Sequence, residues 1–264
     1  MTIPPGTGGV PPPSAMLPLR HAIEPIGPRG RIGLVAIASD FNSEGELRRM
    51  APPGVEVFTN RVANANPVTL ANLRAMAPDI TRAAAGILPG FRLDAMIYGC
   101  TSGTAAIGEL QVDRLIQAAR PDIPCTNPVR ATVAACAALR AQRISMLAPY
   151  IPPVNEALAL DIQSRGLTVL NVAGFGLEDD ESMTGVPAAA LIEAGLESCD
   201  PRADLLFIPC TALRTATVIE ELETRLGKPA LSSNQALLWH ALRSIGNQEA
   251  VPGLGRLFQT TWVP

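Results

Sequence analysis

The 264-residue chain predicts an α/β fold of parallel sheets flanked by helices, on three observations. From Arg31 onward, short apolar and branched runs alternate with longer Ala/Leu-rich stretches at helical spacing, the mark of repeated βα units. A composition of 47% apolar and 17% charged residues supports a substantial core, as one large domain or two lobes of ordinary size. A local pattern also occurs twice. An apolar strand runs into a cysteine, and a threonine and a new helix follow, in Ala95-Met-Ile-Tyr-Gly-Cys100-Thr101 and again in Leu205-Leu-Phe-Ile-Pro-Cys210-Thr211.

Taken in order, residues 1–30 are crowded with prolines, each of which removes an amide donor and disfavours helix in the residue before it. They read as an extended arm, suited either to a neighbouring subunit or to solvent. Strands are expected at Arg31–Ala38, Val55–Arg61, Ala95–Tyr98, Ile144–Ala148, Thr168–Val172 and Asp204–Ile208. Helices are expected at Ser43–Met50, Pro67–Leu88, Thr104–Ala119, Pro128–Ala141, Val154–Arg165, Pro187–Ser198, Ala212–Leu226 and Asn234–Ile245. Gly166 and Gly227 stand where helices end in left-handed caps.

Several function classes are disfavoured at once. A net charge of -3 with no Lys/Arg run offers no footprint for nucleic acid or anionic lipid, so a small molecule or a protein partner is expected. The longest apolar stretches, such as Ile32–Ala38, fall far short of the roughly 20 residues that span a bilayer. The N-terminus lacks a charged-then-apolar leader, and a cytoplasmic address is expected. Five scattered cysteines without a CxxC pair suggest neither a disulfide framework nor a zinc knuckle. With His21 and His240 as the sole imidazoles, no metal site is expected.

The cysteines carry the chemistry. Each member of the repeated pattern lies at the carboxyl end of a strand, where open parallel sheets place ligands and the next helix start offers amide donors and a positive dipole end. A thiol there can have its pKa lowered from about 8.5 toward neutrality and serve as nucleophile or base. A single cysteine after a strand is more often a small buried hydrophobe. The matched second copy shifts that balance to a catalytic pair, Cys100 and Cys210. Cys125 is the nearest rival but lacks a counterpart in the other half, while Cys136 and Cys199 read as structural.

Tyr98-Gly-Cys-Thr-Ser-Gly103 with Ile208-Pro-Cys-Thr-Ala-Leu-Arg214 resembles the cysteine pair of the maleate cis-trans isomerase branch of the aspartate/glutamate racemase superfamily. Three further segments are similar to that branch. They are Gly33-Leu-Val-Ala-Ile-Ala-Ser-Asp40 through Glu44, Leu147-Ala-Pro-Tyr-Ile-Pro-Pro-Val-Asn155 and Gly227-Lys-Pro-Ala-Leu-Ser-Ser-Asn-Gln-Ala236. The resemblance covers the chain from Arg31 on. It implies two pseudo-symmetric lobes, residues 31–125 with 232–264 and residues 126–231, with the active site between them and one cysteine from each. It further implies a cofactor-independent enzyme and a homodimer or higher homo-oligomer. In such enzymes one thiolate takes an α-proton while the opposing thiol returns one, or a cysteine adds to a double bond and leaves after rotation. Decarboxylase relatives keep one cysteine of the pair, so the two here argue against that reaction.

The departures from the branch concern the substrate. Its carboxylate-gripping asparagines fall, by this alignment, at Asp40 and Asp180, where carboxylates would repel a dianion and welcome an ammonium or hydroxyl. That pattern resembles the ectoine-utilisation protein A subgroup and implies diaminobutyrate-like substrates. A cap for the helix at Ser43 is the lesser alternative for Asp40, while Asp180 reads equally as part of a solvated acidic loop. Tyr150 is a candidate donor to a substrate carboxylate, with packing as the competing role. Ser39 and Asn42 could add donors from the same loop as Asp40. The hydroxyls of Thr101, Ser102 and Thr211, beside the thiols, could hold a carboxylate together with backbone amides. The expected activity is a racemase or isomerase acting next to a carboxylate of a small amino-acid-like substrate. The alternatives are a maleate cis-trans isomerase and a non-catalytic small-molecule binding protein.

Overall fold

A computed structural model describes residues 14–262. The first half runs β1 (Gly30–Ile37), α1 (Ser43–Met50), β2 (Val55–Val62), α2 (Leu70–Ala75), α3 (Ala77–Ala85), β3 (Ala95–Tyr98), α4 (Thr101–Ile107), α5 (Glu109–Gln117), β4 (Cys125–Thr126) and α6 (Pro128–Ala138). The second half runs β5 (Arg143–Tyr150), α7 (Pro152–Ser164), β6 (Thr168–Leu177), α8 (Asp180–Gly185), α9 (Ala188–Ser198), β7 (Leu205–Ile208), α10 (Ile219–Leu226), β8 (Ala230–Ser232) and α11 (Ser233–Ser244), with a 3-10 turn at Leu257–Gln259.

The strands form two four-stranded parallel sheets of matching order, β2-β1-β3-β4 and β6-β5-β7-β8. Register places Leu34 beside Ile97 in the first and Met146 beside Phe207 in the second. The inner strands are buried almost throughout, as near-continuous apolar runs covered on both faces require. Helix α11 is buried along most of its length and packs against α6, α1, β3 and β8, elements of both sheets. A network of Arg130, Glu109, Asp113, Arg165 and Asp161 ties α5, α6 and α7 together.

Where elements differ from expectation, local chemistry explains the difference. The stretch 67–88 forms two helices because Pro78, in the first turn of α3, has no amide to bond back to the Arg74 carbonyl of α2; Thr69 caps α2 by accepting from the Asn72 amide at 3.2 Å. The helix expected over 104–119 starts earlier, at Thr101, and breaks at Gly108, whose φ of 94° no helix accommodates. Strand β6 runs on to Leu177. The short helix α8 is capped by Asp179, which accepts from the Ser182 amide at 2.8 Å. The helix expected from Ala212 begins only at Ile219, because the preceding segment is held by tertiary hydrogen bonds described below.

The proline-rich arm falls partly in residues 1–13, outside the described residues. Residues 14–26 carry no regular structure and are exposed, including Met16, Leu17, Leu19, Ile23 and Ile26. No helix among the described residues is long and apolar enough to cross a membrane.

Candidate active site

Cys100 and Cys210 each stand two residues beyond an inner strand, β3 and β7, and each is 4% exposed. Cys100 caps α4, with the Gly103 amide donating to its sulfur at 3.2 Å and the Ser102 hydroxyl 3.8 Å away. Gly103 is glycine for a steric reason. A Cβ there would lie 2.8 Å from the Cys100 sulfur and 2.7 Å from the Tyr98 hydroxyl.

Cys210 is built differently. Its φ of 96° lies in a region that side chains rarely adopt, and an irregular segment rather than a helix follows. The Met183 sulfur lies 3.9 Å from its sulfur, and the Tyr150 phenol and the amides of Ala212 and Leu213 are near enough to ease its ionisation. The matched sequence pattern thus yields a helix-start thiol on one side and a loop-amide thiol on the other.

The two cysteine loops are joined directly. The Thr211 hydroxyl donates to the Gly99 carbonyl at 3.1 Å. The Ser233 hydroxyl lies 2.8 Å from the Thr101 hydroxyl and accepts from the Cys210 amide at 3.2 Å. The hydroxyls of Thr101 and Thr211, expected to face a substrate carboxylate, are therefore occupied in holding the loops together. Donors that remain are the Ser102 hydroxyl, the Tyr150 phenol, whose ionisation both Ser102 and Cys210 influence, and the first-turn amides of α4, which have no carbonyl to bond within their own helix.

Asp180, first residue of α8 and 4% exposed, forms the other wall. It accepts from the Ser39 hydroxyl and, at 3.3 Å, from the Asn64 side chain, which also donates to the Ser39 hydroxyl at 2.7 Å. Burial pushes the Asp180 carboxyl up, with the Asp40 and Asp179 charges acting in the same direction. Asp40 itself serves α1, accepting from the amides of Asn42 at 2.8 Å and Ser43 at 2.9 Å and from the Ser43 hydroxyl. That is the capping use of Asp rather than a substrate grip, and both its oxygens are taken. Asn42 turns toward the Cys210 loop, donating to the carbonyls of Thr211 and Leu213 at 3.0 Å each.

Both thiols are pushed up to about 12, chiefly by burial. The Gly103 amide works against that shift at Cys100, and Tyr150 with the Ala212 amide at Cys210, while the Asp180 charge raises both. The expected lowering by a helix start is present at Cys100 and is outweighed by loss of water. The two sulfurs lie within electrostatic reach of one another, since a charge on Cys210 raises Cys100.

Cys100, Ser102, Asn64 and Asp180 line a cavity of about 20 Å³, closed on its far side by Ile37, Val68, Leu73 and Met76. Wider depressions of about 540 Å³ beside α7 and about 630 Å³ near Arg143 have neither cysteine in their lining, whereas Cys100 borders the small cavity. Cys125 lies in β4 beside Arg130 and Asp113, Cys136 inside α6 and Cys199 at the end of α9. Arg214 is exposed. Sequence reasoning missed Asn64, Met183 and Glu46, for which no motif signals a role. It also gave no role to Ser233 and Asn234, although both lie in the Ser232-Ser-Asn-Gln235 stretch.

Comparison with known proteins bears on the family and the fold. The arylmalonate decarboxylase family matches residues 106–258. The arylmalonate decarboxylase of Bordetella bronchiseptica is 34% identical over 139 residues, 52% of this chain and 58% of that enzyme, so this match spans little over half of the relative. The maleate isomerase of Nocardia farcinica is 25% identical over 244 residues, 87% of this chain and 95% of that one. Among solved structures, a cysteine-to-alanine variant of the maleate isomerase Iso from Pseudomonas putida with maleate superimposes with a TM-score of 0.82 at 22% identity, covering 89% of this chain and 99% of that one. A Nocardia farcinica maleate cis-trans isomerase mutant with a covalently bound succinylcysteine intermediate gives 0.80 at 24% identity, covering 87% and 98%. These likenesses establish two parallel sheets in the same arrangement.

Proposed function

Because this chain belongs to the arylmalonate decarboxylase family, we propose that it is a cofactor-independent isomerase in which Cys100 and Cys210 act on the carbon beside the carboxylate of a small acid. The observation that carries this reading is the pair of buried thiols held in one framework by Thr211, Thr101 and Ser233. Pure binding has no need of two thiols so placed. A relative holding a covalent succinylcysteine supports a cysteine as the reacting group.

In the maleate-type reaction, the Cys100 thiolate adds to one alkene carbon and the displaced electron pair moves onto the adjoining carboxylate. The former double bond, now single, rotates. The pair then returns, expels the sulfur and leaves the trans diacid. In the racemase-type reaction, one thiolate takes the α-proton and the opposite thiol delivers one to the other face. Either route develops negative charge on a carboxylate, which on this reading the α4 amides, Ser102 and Tyr150 would hold, the more strongly where water is excluded.

A second reading keeps the same chemistry on a substrate that bears an ammonium or hydroxyl, and it rests on Asp180. Diaminobutyrate-type acids derived from ectoine fit that reading, whereas the relatives named above act on maleate or arylmalonate. Asp180→Asn separates the two, since it should favour maleate over amino acids by about tenfold or more if the carboxylate selects the substrate.

The central test replaces Cys100 and Cys210 separately with serine. Maleate loss is followed by ultraviolet absorbance and α-deuterium uptake by mass spectrometry. Each substitution should lower turnover by at least about a hundredfold. Full turnover in both variants would sink the two-thiol mechanism, and carbon dioxide release from arylmalonate by the unmodified protein would place it with the decarboxylases.

A further inference from the structure

We propose that Glu46, acting through Asn42 and Asn234, is a positioning residue that sets the loop after Cys210 and aims its amides at the Cys210 sulfur. The inference rests on the two-thiol reading above and concerns how one thiol is prepared. Glu46 sits on α1 and is 2% exposed, an environment in which a carboxyl is costly unless its oxygens are well bonded. It accepts from the Ala216 amide at 2.8 Å on one oxygen, and on the other from the side chains of Asn234 at 2.6 Å and Asn42 at 3.3 Å.

The same two amide groups reach on to the loop backbone. Asn42 and Asn234 donate to the Thr211 carbonyl at 3.0 Å and 2.9 Å, and Asn42 donates to the Leu213 carbonyl at 3.0 Å. A trans peptide points its N–H opposite to its C=O. Drawing the Thr211 carbonyl toward α1 and α11 therefore turns the Ala212 amide the other way, away from those helices, and this amide eases ionisation of the Cys210 thiol. The Ala216 bond anchors the far end of the segment and stops it winding into the helix that its sequence would otherwise extend. Such restraint is also what a cysteine at φ 96° requires, since strained backbone persists where its surroundings over-determine it. Glu46, Asn42 and Asn234 touch neither thiol, so they act through the loop.

The test is selective thiol modification of the full chain at one alkaline pH with a small methanethiosulfonate reagent, read separately at Cys100 and Cys210 by mass spectrometry. Below the pKa the rate follows the thiolate fraction, which depends on the donors facing each sulfur. Glu46→Gln has one acceptor oxygen and cannot serve both the Ala216 amide and the asparagines. It should slow Cys210 modification about tenfold while Cys100 changes less than about twofold, a ratio that general loosening would not produce. An unchanged or faster Cys210 rate relative to Cys100 overturns the proposal. If Glu46→Gln does not fold, Asn234→Ala, which leaves the Thr211 carbonyl one donor, should show the same selective slowing by about threefold, and its absence there overturns the proposal equally. Because the readout needs no turnover, a selective effect in Glu46→Gln alongside full activity of Cys210→Ser would refute the two-thiol reading and leave the clamp standing.

Discussion

Replacing Gly103 with alanine should separate catalysis from stability. The added Cβ would stand 2.8 Å from the Cys100 sulfur, 2.7 Å from the Tyr98 hydroxyl and 2.8 Å from the Met76 methyl. Non-bonded atoms settle at roughly 3.5–4.0 Å, so the sulfur must retreat by about 0.7–1.2 Å. Overpacking of this kind costs about 1–3 kcal/mol, while alanine in place of glycine within α4 returns up to about 1 kcal/mol. The net loss of stability should be about 0–3 kcal/mol, measured by urea unfolding. A reacting atom displaced by about 1 Å can lower turnover on the order of a hundredfold, measured as kcat/KM on the substrate that the tests above identify. Gly185→Ala, where nothing lies within 4 Å of an added Cβ, serves as a control and should change neither quantity appreciably. If Gly103→Ala keeps wild-type kcat/KM, the position of the Cys100 sulfur does not govern the reaction, and its role as attacking atom is refuted.

Three other perturbations have defined outcomes. Ser233→Ala strips a partner from both the Thr101 hydroxyl and the Cys210 amide, and should cost about 1–3 kcal/mol by urea unfolding together with a drop in turnover of about tenfold. Glu109→Ala leaves Arg130 and Arg165 without their shared carboxylate, whose side chain is 10% exposed, and should lower stability by about 2–3 kcal/mol with little change in thiol reactivity. Alkaline stability follows from the thiols, whose folded-state value of about 12 exceeds their ordinary 9.0. Below pH 9 both folded and unfolded chains keep the protons and the contribution is fully present. Between about 9 and 12 the unfolded chain ionises first, so stability falls, by up to about 1.4 kcal/mol per pH unit for each thiol. A Cys100→Ser, Cys210→Ser double variant should show a shallower decline in urea midpoint from pH 8.5 to 10.5, and an identical slope would contradict the burial of these groups.

The strands and most helices were legible because apolar period and length decide them, as at Ser43–Met50 and Ala95–Tyr98, whose bounds match those read from the residues. The two-residue strand at Cys125–Thr126 leaves too little pattern to read, and the three-residue strand at Ala230–Ser232 little more. The segment after Cys210 misled for a different reason. Its residues favour helix, and the bonds that prevent it come from Asn42, Glu46 and Asn234, far away along the chain. Repetition brought Cys100 and Cys210 to notice, yet the same repetition suggested equal surroundings, whereas one caps a helix and the other occupies a strained turn. Asp40 shows the limit of residue-type reasoning, since an acidic side chain before a helix serves a cap or a ligand equally well until its hydrogen bonds are seen.

The bonds from Thr211 to Gly99 and from Ser233 to both loops also bear on how substrate gets in. A cleft that opened like a clamshell at the sulfurs would have to break all of these buried bonds at once. The segment leading into α8 is tied to the first half by a different set of bonds, with the Val68 amide, just before α2, donating to the Glu178 carbonyl at 2.6 Å and Asp180 accepting from Ser39 and Asn64. Any outward motion of α8 would therefore have to give up the bonds of Glu178 and Asp180 to the first half, while the bonds that tie the two cysteine loops to each other would be untouched.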